Sequence, residues 1–111
     1  MISRSQLNQI DRRYFNVIEA NTGYCILQSK NTFHYWYIKC TDEKSEKVII
    51  NHSHFGNQNY HSHDSAKNLS SAIAKIKSHD TYQLQHRSSE YHLGYSKEEL
   101  ERMNAIPYFY F

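Results

Sequence analysis

Leu7, Ile10, Tyr14, Val17 and Ile18 recur at the three-to-four spacing of a single helical face, and Asn21, Thr22 and Gly23 follow them as a stop. The pattern predicts a first helix from Ser3 or Ser5 to Ala20, with Asn8, Arg12, Arg13 and Glu19 on its opposite side. The period then changes. Tyr24 to Lys30 and Thr32 to Thr41 are rich in aromatic and β-branched residues and are separated by Asn31, which reads as a hairpin. In its second strand Phe33, Tyr35 and Tyr37 alternate with His34, Trp36 and Ile38, so both faces are apolar or amphipathic. One face is expected under a helix and the other as an aromatic surface.

Asp42 to Ser45 reads as a polar turn, and Lys47 to Asn51, with Val48, Ile49 and Ile50, as a third strand. The stretch Asn51 to Asp64 is expected as a loop. Asp64 or Ser65 is placed to cap a second helix along which Ala66, Leu69, Ile73 and Ile76 form an apolar stripe. Thr81 to Arg87 alternates Tyr82, Leu84 and His86 as a fourth strand, and Ser96 to Glu99 has the capping-box spacing of a short helix with Leu100 and Met103 inward. The tail Tyr108 to Phe111 is too apolar to stay loose in water and is expected to dock, as an edge strand or into a partner.

This order predicts one α+β domain over residues 1–111. Its small antiparallel sheet is a three-stranded meander plus one or two further strands, packed by two to three helices. Strand and helix units do not alternate and no Gly-rich turn joins them, which argues against a doubly wound nucleotide-binding fold. The first residues lack the apolar run of a signal peptide, and no window reaches the length of a membrane span, so the expectation is a cytoplasmic protein. Cys25 and Cys40 are read as reduced thiols. A hairpin centred on Asn31-Thr32 sets Cys25 opposite Ile38 and Cys40 opposite Gly23, a diagonal that bridges only in a shifted register.

Composition adds two points. The ten tyrosines supply much of the hydrophobic fraction, so the core is expected to be small and aromatic. The net charge of +2 with neutral histidines rises by up to eight on full protonation, which makes it pH-sensitive rather than strongly basic.

Four of the eight histidines lie between Asn51 and Asp64, in two His-Ser-His triplets. Alternation on a strand puts both imidazoles of a triplet on one face, so His52, His54, His61 and His63 are a candidate set for Zn²⁺ or Ni²⁺, with Asp64 as a further acceptor. The same stretch, a strand ending in histidine, a Gly-Asn loop and Asn68 in a following helix, resembles the ββα-metal arrangement of HNH-type endonucleases. That resemblance implies His52 or His54 as general base and Asn68 as the residue orienting loop or metal. The chain departs from it where Ala72, Ile73 and Ile76 fill the inner stripe of the helix. His86, Arg87, His92 and Lys97 carry the residue types of a metal-free ribonuclease without a distinguishing spacing. His34, His79, His86 and His92, each taken alone, read as partly buried or surface histidines.

The aromatic side chains exceed what a small core hides. Phe33, Tyr35, Trp36, Tyr37, Tyr60, Tyr108 and Tyr110 are therefore the candidate partner-binding set, since Tyr and Trp accept a half-wet environment and enrich interface hot spots. Lys30, Lys39 and Arg87 flank them as single-stranded nucleic acid would require. The basic residues are nevertheless interrupted by acidic ones around 42–47 and 98–101, which favours a protein partner. The expectation is a small non-enzymatic interaction or inhibitor protein, by analogy with those of phages and mobile elements. A metal-dependent or histidine-based nuclease and a single-stranded nucleic-acid-binding module are the alternatives, and an exposed aromatic strand also invites homodimers.

Overall fold

A computed structural model describes residues 1–53 and 61–92, with backbone alone at 61–63 and 86–92. Its elements in chain order are α1 (Arg4–Asn8), β1 (Phe15–Ala20), β2 (Tyr24–Ser29), β3 (Tyr35–Cys40), β4 (Val48–Ser53), β5 (His61–Ala66) and α2 (Leu69–His92). The strands form one sheet in the order β1-β2-β3-β4-β5, and every neighbouring pair is antiparallel. The architecture is α+β. Among the described residues its helices are α1 and α2; the helix expected from Ser96 and the tail from Tyr108 lie outside them.

The first predicted helix is corrected. Ser3 Oγ accepts from the Gln6 amide at 3.2 Å and starts α1, but the helix ends at Asn8. Asp11 Oδ1 then accepts from the amides of Arg13 and Tyr14 at 2.9 and 3.3 Å, an Asx turn that offers the backbone an alternative to helix. Phe15 to Ala20 leave as strand β1, paired Phe15 with Ser29 and Ala20 with Cys25, with a bulge between Val17 and Glu19. The three-to-four spacing of Leu7, Ile10, Tyr14 and Val17 therefore spans α1, the turn after it and β1: Ile10 and Phe15 enter the core, and Leu7, Tyr14 and Val17 pack partly buried against it.

The hairpin has the expected register: Cys25 pairs with Ile38, and the Cys40 amide donates to the Gly23 carbonyl at 2.9 Å. Both cysteines are free thiols. The connection is longer than a tight turn, running from Lys30 to His34, and Phe33 takes it through a left-handed conformation at φ 61°. Such a backbone is uncommon for a bulky side chain. The Phe33 amide donates to the Ser29 carbonyl at 2.9 Å and the Ser29 amide to the His34 carbonyl at 3.0 Å, which hold the turn.

The stretch expected as a histidine loop is corrected at both ends, because β4 runs on through His52 and Ser53 and β5 begins at His61; residues 54–60 lie outside the described residues. Asn51 pairs with Ser62 and Ile50 with Asp64, so His63 is the extra residue of an irregular register. Asp64 and Ser65 belong to this strand and do not cap α2. The cap is Asn68, whose Oδ1 accepts from the Ser71 amide at 2.8 Å.

The expected fourth strand at Thr81 to Arg87 is also corrected: these residues continue α2, a helix of 24 residues. No Gly or Pro interrupts residues 69–92, and the Thr81 hydroxyl donates back to the Lys77 carbonyl at 2.9 Å within the helix. Leu69, Ala72 and Ile76 bury one side of α2 in a core with Phe15, Leu27, Trp36, Ile38, Val48 and Ile50. Truncating a fully enclosed ring such as Trp36 to Ala costs about 3–5 kcal/mol. Among the described residues no helix is long and apolar enough to cross a membrane.

Candidate metal centre

The sheet register assembles a row across the helix-facing side. Leu27 pairs with Trp36, and Trp36 with His52. β3 is the middle strand of five, and at its start Tyr35 and Trp36 are enclosed on opposite faces. Trp36 is 0% exposed and Tyr35, on the other face, 3%. The aromatic surface expected from the strand is therefore corrected at these two positions; Phe33 and Tyr37 are half-buried, and Tyr37 packs on Tyr24 with ring centroids 5.5 Å apart. Tyr60, Tyr108 and Tyr110 lie outside the described residues.

Two further imidazoles meet His52 at the end of this row. His34 arrives from the β2–β3 turn, positioned by the left-handed Phe33, and His79 from α2, one turn beyond Ile76. The ring centroids are 5.8 Å apart for His34 and His52, 6.1 Å for His34 and His79, and 5.5 Å for His52 and His79. The Trp36 ring lies 5.1 Å from His52 and 5.5 Å from His79. His34 and His52 are buried at 1% and 6% exposure, and His79 is partly exposed.

Asp80 completes the cluster. It is 0% exposed, and one ligand atom from each of His34, His79 and Asp80 falls within 4.8 Å of the other two. Its carboxylate accepts from Tyr14 Oη at 2.6 Å and from Thr32 Oγ1 at 3.0 Å, with the Ser29 hydroxyl as a third partner. Ser29 Oγ in turn accepts from Trp36 Nε1 at 2.9 Å. Three hydroxyls thus aim the carboxylate, as outer partners orient metal-binding groups. Burial raises the pKa of Asp80 above the ordinary carboxylate value, against these hydrogen bonds, which lower it. Tyr14 is raised as well, first by burial and then by its bond to Asp80.

The donor types suit a borderline divalent ion: two or three neutral imidazoles with one carboxylate, and no thiolate. Three imidazoles around a tetrahedral ion at about 2.0–2.1 Å have centroids about 5–6 Å apart, the spacing of this triangle, and donor atoms about 3.3 Å apart. Side-chain movements of about 1 Å bring His34, His79 and Asp80 from their present separation to that geometry.

Of the four histidines proposed from sequence as ligands, His52 is in this cluster. His54 lies outside the described residues, and only the backbone of His61 and His63 is described, on β5. His34, His79 and Asp80 were not singled out by sequence as ligands. The signal for the last two was the stripe Leu69, Ala72, Ile76, which continued by one turn arrives at His79 and Asp80.

No family model matches the sequence, and no curated protein or solved structure was found to be similar to it.

Proposed function

We propose that the protein binds one divalent late first-row transition ion, Zn²⁺ fitting best, through His34, His52, His79 and Asp80. The observation that carries this is the triangle of three imidazoles, two of them buried, 5.5–6.1 Å between centroids, with a buried carboxylate beside it. The ion joins the β2–β3 turn, β4 and α2, which no covalent bond brings together. Four protein donors leave no coordination position for a substrate, so the site is structural or regulatory rather than catalytic. Burial of His34, His52 and Asp80 supports this over a nuclease, whose metal must meet a polymer, and burial of Tyr35 and Trp36 weakens docking through the aromatic strand.

Elemental analysis of untagged protein, with Zn²⁺ competition and Co²⁺ titration, tests it. Trp36 is the chain's single tryptophan and lies beside the cluster, so paramagnetic Co²⁺ or Ni²⁺ should quench its fluorescence at one equivalent. His79→Gln should weaken binding by at least tenfold, whereas the triple variant His54→Ala, His61→Ala, His63→Ala should leave it within a fewfold. Absence of tight binding by the wild-type chain, or loss only in the triple variant, would sink the assignment.

A further inference from the structure

A second concentration of one chemistry lies where β4 begins, β5 ends and α2 starts. Lys47, Lys67 and Lys75 line a groove of about 530 Å³ together with Ser45, Ser65 and Ser71. The register accounts for the gathering of charge. Ile49 pairs with Ser65 and Val48 with Ala66, so Lys47 and Lys67 are the residues that follow directly on the last pair of this ladder, and both line the groove. Like charges gathered at the end of one ladder repel. Neither lysine forms an ion pair among the described residues.

Lys75 reaches the same place from α2, its Nζ 3.0 Å from an Asp64 carboxylate oxygen and 2.8 Å from the Ser65 carbonyl. Three ammonium groups against Asp64 leave a local charge of +2. The neighbouring Glu46 accepts from Gln6 Nε2 at 2.9 Å and does not line the groove. The amides of Ser70 and Ser71 are taken by Gln6 Oε1 at 3.0 Å and Asn68 Oδ1 at 2.8 Å, so the attraction for an anion comes from the lysines rather than from open helix amides.

We propose that this groove binds the dianionic phosphoryl group of a small phosphomonoester. Lysine ammonium groups are compact point charges that suit a tetrahedral dianion, where planar carboxylate recognition favours arginine, and among the described residues no arginine lines the groove. The hydroxyls of Ser45, Ser65 and Ser71 supply further hydrogen bonds. The volume falls in the range of small-molecule sites. Among the described residues no aromatic side chain lines it, so a nucleic-acid base would find no stacking platform on them. The bound phosphoryl group offsets the repulsion between Lys47 and Lys67. The site is independent of the histidine cluster.

The test is amide NMR of the full chain at constant ionic strength, titrated separately with inorganic phosphate, glycerol phosphate, sulfate and a short single-stranded oligonucleotide. Saturable shifts at Ser65, Ala66, Lys67 and Ser71, stronger for glycerol phosphate than for sulfate, are expected. The exposed double change Lys47→Gln, Lys67→Gln should weaken phosphomonoester binding about tenfold or more. It should also raise the melting temperature without ligand, because it removes two like charges gathered at one groove; this readout would still report if binding were too weak to follow. Shifts spread evenly over Lys30, Lys39 and Lys77, affinity unchanged in the double variant, no rise in melting temperature, or tighter binding of the oligonucleotide would each overturn the proposal. Inorganic phosphate binding as tightly as glycerol phosphate would identify free phosphate as the ligand and overturn the ester.

Discussion

Trp36 and His52 face each other across β3 and β4, their rings 5.1 Å apart and inclined by 30°, while the indole Nε1 of Trp36 donates to Ser29 Oγ. The tryptophan thus belongs to the apolar core through its ring and to the Asp80 network through its nitrogen. Trp36→Phe keeps most of the packing and removes the donor, leaving Ser29 with a vacant acceptor in a buried site. Stability should fall by about 1–3 kcal/mol, measured by urea unfolding. A loss well below this range would show that the indole donor adds little to the network.

Thr32 and Asp80 make the second test. Both are buried, and Thr32→Val preserves shape while removing one of three hydroxyls from the carboxylate. The cost should again be about 1–3 kcal/mol, and Zn²⁺ affinity should fall as the carboxylate loses its aim. Unchanged affinity with reduced stability would confine Thr32 to a role in folding.

Phe33 tests the turn that delivers His34. At φ 61° a glycine relieves backbone strain of about 1 kcal/mol, whereas a β-branched side chain worsens it. Phe33→Gly should therefore change stability by no more than about 1 kcal/mol once the lost ring contacts are offset, and Phe33→Val should destabilise more than Phe33→Gly in the same denaturation assay. The reverse order would mean that ring packing, not backbone conformation, decides this position.

Cys25 gives a pH dependence with a definite sign. Burial raises its thiol from the ordinary value of 9.0 to about 11, so the folded chain holds the proton after the unfolded chain has lost it. This contribution is complete below pH 9 and declines as the pH rises from about 9 to 11. Tyr14, also raised, adds a loss in the same direction above pH 10. Stability measured between pH 8 and 11 should fall less steeply in Cys25→Ala than in the parent, and native Cys25 should resist alkylation at pH 8. Identical slopes would remove the thiol from the alkaline limb.

Sequence periodicity carried the sheet further than the helices. The hairpin register, with Cys25 opposite Ile38, follows from the position of Asn31, because an antiparallel pair has one register parameter and the turn fixes it. The span 10–20 was misread because Ile10, Tyr14 and Val17 satisfy a helical spacing that the Asx turn at Asp11 interrupts, and sheet pairing then outweighs the remaining preference. Reading Thr81 to Arg87 as strand ends α2 about three turns early and hides the alignment of His79 and Asp80 with Ile76. His52 stood out within a local cluster of histidines; its partners came from a turn and a helix far away in sequence. A site assembled by tertiary contact leaves no spacing to read.

Each strand of the sheet pairs with the one that follows it, so the meander can grow by short loop closures, whereas α2 must pack back over strands already formed. His79 and Asp80 then arrive with the last element to dock. An ion held by them acts after the folding barrier and should slow unfolding while leaving the folding arm of a chevron almost unchanged. Metal occupancy would set how long the native state lasts more than how quickly it is reached.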